Sequence, residues 1–211
     1  MRSLWRRRTA LLVFALFLAV APMPVAAAKP VTTAPRERAE QIVAALAQAG
    51  DPAQAFQQLS AEEQQLVRDY LSMERTTITI GRPAAVSNPR NQFASTTGIC
   101  WEVGVLLVGR NAFGVALWEY NVVLFWCSDG ATITNYSGRS RGSVLMPLWQ
   151  FFGDIAQNTV GGNGYNFVRH FRQGHFALCL TSQFGCVSHS YPWAELTGYA
   201  DGRYSARGRP Y

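Results

Sequence analysis

Apolar residues recur along this chain with two different periods, and the change between them divides it. In the front part Ile42, Val43, Leu46 and Ala49 fall on one face at helical spacing. Gly50-Asp51-Pro52 ends that helix and starts another, with proline in the first turn, where its missing N–H costs nothing. Ser60-Ala61-Glu62-Glu63 has the capping-box pattern: serine accepts from the Glu63 amide while Glu63 reaches back. Leu66, Val67, Tyr70 and Leu71 continue an apolar face on the helix that follows. Residues 29–75 therefore read as a helical segment whose stripe packs against the rest of the protein.

Beyond it the period becomes two. A linker is predicted over residues 76–97, richest in Pro, Asn and Ser from residue 81 onward, ahead of a β domain over 98–211. Ile99, Trp101, Val103, Val105 and Leu107 make one apolar face. Trp118, Tyr120, Val122, Leu124 and Trp126 make the next, with Glu119 and Asn121 pointing the other way. A turn centred on Asn111-Ala112 sets Trp101 opposite Val122, Val103 opposite Tyr120 and Val105 opposite Trp118. Asp129-Gly130 is a tight-hairpin pair, after which Ala131 to Tyr136 return as a strand, and Asp201-Gly202 repeats the device near the C-terminus between Leu196-Thr197 and Arg203-Tyr204. Further strands are expected at 145–153, 164–172, 175–181 and 185–191. The apolar phase flips from Tyr165, Phe167 and Phe171 to Phe176, Leu178 and Leu180, which predicts a bulge or turn around Gly174. The fold class is mainly β: an antiparallel sandwich or barrel of about seven or eight strands behind a short helical segment.

Charge changes the picture only at the front. The chain carries a formal +6, but Arg2, Arg6, Arg7 and Arg8 precede an apolar run from Ala10 to Val20, then Pro22, Pro24 and Ala26-Ala27-Ala28. Basic head, short apolar middle and small residues are the order of a secretory signal peptide, predicted over residues 1–28. The middle is shorter than the roughly 20 residues a membrane span needs, so no stable span is expected after cleavage. Removing those four arginines leaves +2, and nucleic-acid binding by bulk charge loses its support. A single lysine, Lys29, against eighteen arginines points to a GC-rich bacterial genome.

Four cysteines in an exported chain imply two disulfides. Cys179 and Cys186 bracket a hairpin-length stretch, and elimination joins Cys100 to Cys127. The register above resists that second bridge. It sets Cys100 opposite Val123, four positions from Cys127, and at about 3.3 Å per residue this exceeds the roughly 7 Å limit between bridged α-carbons. Either a bulge closes the gap or another connectivity holds. His175, Cys179, Cys186 and His189 offer zinc-ligand types, but Cys186 and His189 point to opposite faces of a strand and export favours oxidation. Neither metal nor other cofactor is expected.

Chemistry is thinly signposted. No nucleophile elbow, metalloprotease helix, phosphate loop or dinucleotide fingerprint is present. Trp126-Cys127-Ser128-Asp129-Gly130 sets a cysteine, a serine and an aspartate together, yet Asp129 stands where a turn needs it, so the segment reads as a corner. Glu102 and Glu119, on one face and two positions apart in that register, could form a glycosidase pair or a solvated, arginine-paired face. Trp149 and Trp193 are freer than the core tryptophans, and Gly138-Arg139-Ser140-Arg141-Gly142 reads as a flexible basic loop. Trp149, Trp193, Arg139 and Arg141 are thus the candidate ligand surface.

The stretches "GICWEVG", "ALWEYNVVLFWCSDGATIT", "RQGHFALCLTSQFGCVSHSYPW" and "ADGRY", behind the helical "DPAQAFQQLSAEEQQLVRDYL", resemble a set of secreted, uncharacterised proteins of actinobacteria and related soil bacteria. That resemblance implies a secreted β-rich domain and brings no activity. A more distant likeness, to secreted β-sandwich bacteriocins of the lactococcin type, rests on architecture alone. The function expected is a secreted, non-catalytic binding protein acting on an extracellular or cell-wall ligand. A secreted hydrolase and a bacteriocin-like antagonist are the alternatives.

Overall fold

The computed structural model describes residues 33–85, 98–181 and 185–209. The predicted signal peptide, most of the predicted linker and the loop between Cys179 and Cys186 lie outside the described residues. Three helices come first: α1 (Thr33–Gln48), α2 (Pro52–Gln57) and α3 (Ala61–Leu71). Both predicted caps form. Asp51 accepts from the Gln54 amide at 3.0 Å, and Ser60 and Glu63 close a reciprocal capping box. The stripe Ala39, Ile42, Val43, Leu46, Val67, Tyr70 and Leu71 is buried in the same core as the strands.

Ten strands follow: β1 (Arg75–Ile80), β2 (Ala84–Ala85), β3 (Ile99–Arg110), β4 (Ala116–Ser128), β5 (Ile133–Val144), β6 (Trp149–Gly161), β7 (Phe167–Thr181), β8 (Gly185–Ser190), β9 (Trp193–Tyr199) and β10 (Tyr204–Arg209). They form two antiparallel five-stranded sheets. The first runs β1-β3-β4-β5, with β2 also on β3; the second runs β10-β9-β7-β6, with β8 also on β7. The result is an open sandwich, not a closed barrel. Its strand count exceeds the seven or eight of the sequence pattern because β1 and β2 arise inside the stretch read as linker. Thr76 to Ile80 pair residue for residue with β3.

Two more strands differ from the pattern for one physical reason. Gly138 to Gly142, read as a basic loop, is the middle of β5. Its register sets Gly138, Ser140 and Gly142 opposite Leu124, Val122 and Tyr120, so the small residues face inward and Arg139 and Arg141 outward. Bulky groups of the other sheet fill the space. A Cβ on Gly138 would stand 2.2 Å from the His170 ring, and one on Gly142 would stand 2.6 Å from Phe151. An inward face made of glycine and serine has no hydrophobic signature. The converse holds in β7, which runs unbroken through Gly174. Val168, His170, Phe176 and Leu178 are all buried, so the inward phase never flips. Phe167 and Phe171 are aromatic residues on the outward face. The interruption lies in the neighbours: Gly174 donates to the Pro192 carbonyl where β8 gives way to β9, and β6 bulges between Phe151 and Ala156.

The β3–β4 register is displaced by four residues from the one the turn reading gives. Trp101 lies opposite Trp126, Val105 opposite Val122 and Cys100 opposite Cys127. Asn111 is not the tip of the turn but its root. It is fully buried, its Nδ2 donates to the Tyr70 carbonyl (2.6 Å) and its Oδ1 accepts from the Val115 amide (2.9 Å). Gly114, at φ 77°, takes the left-handed position that closes the loop, and a bulge sits between Gly109 and Arg110.

Asn111→Ala strips the helix-end carbonyl of Tyr70 and the Val115 amide of a buried partner. The expected loss is about 1–3 kcal/mol, read from the midpoint of equilibrium urea unfolding. An unchanged midpoint would show that the loop does not depend on this side chain.

Candidate functional site

The residues singled out by the sequence scatter over the molecule. Cys100–Cys127 and Cys179–Cys186 are both disulfides, each with α-carbons 4.0 Å apart, so the register objection to the first disappears with the register itself. With those thiols oxidised, no zinc site of the His-Cys-Cys-His kind exists, and among the described residues no three metal-ligating side chains converge. Asp129 is structural: its Oδ1 accepts from the Thr132 and Ala131 amides at 2.7 and 2.9 Å, and those donors hold its carboxyl below the usual range. The loop it anchors spans Asp129 to Thr132, with positive φ at Gly130 alone, so it is wider than the two-residue turn expected. Ser128 reaches the other sheet through the Ala200 carbonyl (2.6 Å). The Trp-Cys-Ser-Asp-Gly segment is therefore a corner.

Glu102 lies opposite Phe125 and Glu119 opposite Val108. Six positions separate them along β3, about 20 Å at strand rise, too far for a glycosidase pair. Glu102 instead meets Arg139 at 3.1 Å on the outer face of the first sheet. Arg141 is exposed on that same face. Trp149 is not a surface residue. It is buried, and its indole N–H donates to the Leu71 carbonyl at 3.0 Å, fastening β6 to the end of α3. Trp193 is half-buried on the second sheet's outer face, so the four residues proposed as one ligand surface do not meet.

That outer face holds a candidate site which the sequence only half disclosed. Cross-strand pairing sets Asn158, Phe171, Glu195 and Arg207 in one row across β6, β7, β9 and β10. Ala156, Gln173, Trp193 and Arg209 form the next row. The rings of Phe171 and Trp193 lie 5.8 Å apart. Glu195 is gripped by Arg207 at 2.8 Å and flanked by Arg169 at 3.9 Å. Ala156, Asn158, Val160, Arg169, Phe171 and Glu195 line a cleft of about 360 Å³. Along β7 the strip continues through His175, which stacks between Phe152 (5.0 Å) and Tyr191 (4.8 Å). The signal for Phe171 was present in the sequence, as the odd-numbered aromatic residues of β7. Counting periodicity alone turns it into a change of phase, because outward aromatic residues and inward ones look alike. Arg169, Glu195 and Arg207 carried no signal, since their meeting depends on strand order.

A second cluster lies between the sheets at the edge where β5 faces β6. The Tyr120 hydroxyl donates to Asp154 Oδ1 at 2.8 Å, Ser140 donates to the other carboxylate oxygen, and Arg172 Nε stands 3.8 Å from it. Arg172 also donates to Gln157. Burial, then the hydrogen bond to Asp154 and its charge, pushes the Tyr120 phenol far above its ordinary range. His170, beneath this group, is 2 % exposed, has Nδ1 3.2 Å from the Thr159 hydroxyl and has no partner at Nε2. Each carboxylate oxygen accepts one hydroxyl and the phenol is held in its neutral form, so the cluster ties one sheet to the other.

The chain matches no family model, no curated protein and no solved structure. Fold and faces together define the class: an open, two-disulfide, antiparallel β-sandwich with helices packed into its core.

Burial first, then the Arg172 charge, lowers the His170 pKa from 6.5 to about 4, while Asp154 opposes the shift. Between those two pH values the unfolded chain binds the proton and the folded one does not. The stability conferred by neutral His170 is therefore complete above pH 6.5 and is lost as pH falls toward 4, by about 3 kcal/mol. Urea unfolding across that window should show the fall, and His170→Gln should flatten this part of the profile. An identical slope in the variant would assign the acid sensitivity to other groups.

Proposed function

We propose that this chain is a secreted, non-catalytic binding protein whose ligand face is the outer surface of the second sheet, and that the ligand is a glycan of the cell surface or cell wall. The observation that carries this reading is the Phe171–Trp193 pair, held half-exposed on a sheet face. The solvated face of an antiparallel sheet ordinarily reads polar. Here two aromatic rings lie beside a carboxylate fixed by two guanidinium groups and beside the amides of Asn158 and Gln173. An apolar platform with a few placed donors and acceptors is the general form of a small-ligand site, and a sugar ring, with a C–H face and a rim of hydroxyls, is complementary to it. The strip sits on paired strands rather than on loops, so its geometry is set before a ligand arrives.

Export is the second part of the proposal. Basic residues, an apolar run and small residues at the front of the chain support it, as do two disulfides of the kind that persist in oxidising compartments. Among the described residues no helix is long and apolar enough to cross a membrane. A net charge of +2 once the leader is removed favours a neutral or mildly acidic ligand over a polyanion.

The test is binding of the full chain to a glycan array and to isolated cell-wall polysaccharide. Phe171→Ala and Trp193→Ala should each weaken binding by about tenfold or more, as anchors at the centre of a site do. Arg141→Ala, on the opposite sheet, should leave it unchanged. Thermal melts monitor folding of each variant. A folded wild-type chain that binds no glycan, or binding that survives both aromatic truncations, would remove this reading.

A further inference from the structure

We propose that His175 and His189 form a surface chelate for a divalent late transition-metal ion, copper(II) foremost. The two histidines come from different strands and meet through register. His189 on β8 lies opposite Ala177 of β7, two positions from His175 on the same face. His175 Nε2 and His189 Nδ1 are hydrogen-bonded to each other at 3.0 Å, and a bound ion would take the place of the proton they share. Two imidazoles bound to one ion at about 2.0 Å each would hold their nitrogens about 2.8 Å apart in a square-planar cis arrangement and about 3.3 Å apart in a tetrahedral one. The observed spacing falls between these values. An ion bound there sits off the N···N line by about 40° at each nitrogen, and the exposed His189 ring is the one free to turn toward it.

The pair is preorganised. Phe152 and Tyr191 stack on either side of His175, at 5.0 and 4.8 Å, and restrict its ring to one plane. His189 lies nearly parallel to Tyr191, with 4° between the planes. The nearby cysteines are joined to each other and cannot contribute thiolate, which leaves an all-imidazole donor set. Such a set suits copper, nickel and zinc, and at equal geometry copper(II) binds most tightly of the three. Two protein ligands leave the remaining coordination positions to water or to an incoming oxygen donor, so the ion is exchangeable rather than structural. This site does not depend on the neighbouring strip being a glycan face.

Copper(II) titrated into the oxidised full chain in a weakly coordinating buffer tests the proposal, followed by calorimetry and electron paramagnetic resonance. One equivalent should bind with an axial spectrum carrying nitrogen hyperfine structure, and affinity should fall as pH drops below 6. His189→Ala, at an exposed position, should fold normally and weaken that binding by about tenfold or more. His175→Gln should do the same, and Phe152→Ala should produce a smaller loss by freeing the His175 ring. No copper bound by the wild-type chain, or an equivalent that survives in folded His189→Ala, overturns the assignment.

Discussion

The pairing register of β3 on β4 is the constraint on which the rest of the sandwich depends. It places the Trp126, Leu124, Val122 and Tyr120 row against Trp101, Val103, Val105 and Leu107 and leaves none of β4's inward side chains exposed. The same register brings Cys100 and Cys127 face to face. It is imposed from outside the two strands: Asn111 roots the connecting loop on the Tyr70 carbonyl at the end of α3. Helices and sheets are thus coupled through one buried amide, and Trp149 adds a second tie to the Leu71 carbonyl one residue further on. Buried carbonyls at a helix end need partners, and here the β domain supplies two of them.

Between the sheets, aromatic residues rest on glycines. Trp126 packs where a Cβ on Gly198 would come within 2.5 Å, and Tyr120 does the same over Gly174 at 2.8 Å. Shape matching of this kind fixes one sheet on the other more narrowly than area burial, because a single added methyl has no room. The Tyr120–Asp154–Ser140–Arg172 cluster adds direction to that fit at the open edge. It holds the middle of β5, where glycine and serine face inward between the core residues Ile133 and Tyr136 and the strand's end, against the other sheet.

The two outer faces have separate characters. On the first sheet, Arg139 and Glu102 form a solvated ion pair of the kind that contributes little to stability. On the second, aromatic rings, a clamped carboxylate and two histidines line up along β7 and its neighbours β8 and β9. Because β8 and β9 lie end to end beside one long β7, side chains distant in sequence form a continuous strip there. Tyr191-Pro192, the short connection between β8 and β9, links the histidine pair to Trp193.

The sequence by itself determined the periods and the punctuation. It showed where helical spacing ends, which face of β3 and of β4 is buried, the cap at Ser60, the turns at Asp129 and Asp201, and that Cys179 can meet Cys186. Local chemistry suffices for each of these. It could not determine the register, because a slip of four residues preserves every inward face when the period is two. The fixing contact, Asn111 to Tyr70, joins residues 41 apart. The strand expected over Ala131 to Tyr136 is the start of β5. Periodicity could not show that it runs on to Val144, since its inward positions from Gly138 to Gly142 are glycine and serine, nor could it separate the outward Phe171 from the inward Phe176. Tertiary structure alone decided that Trp149 is core, that Glu102 and Glu119 lie far apart, and that His175 and His189 touch. Those outcomes depend on which strands become neighbours, a property of the assembled sheets that no window along the chain contains.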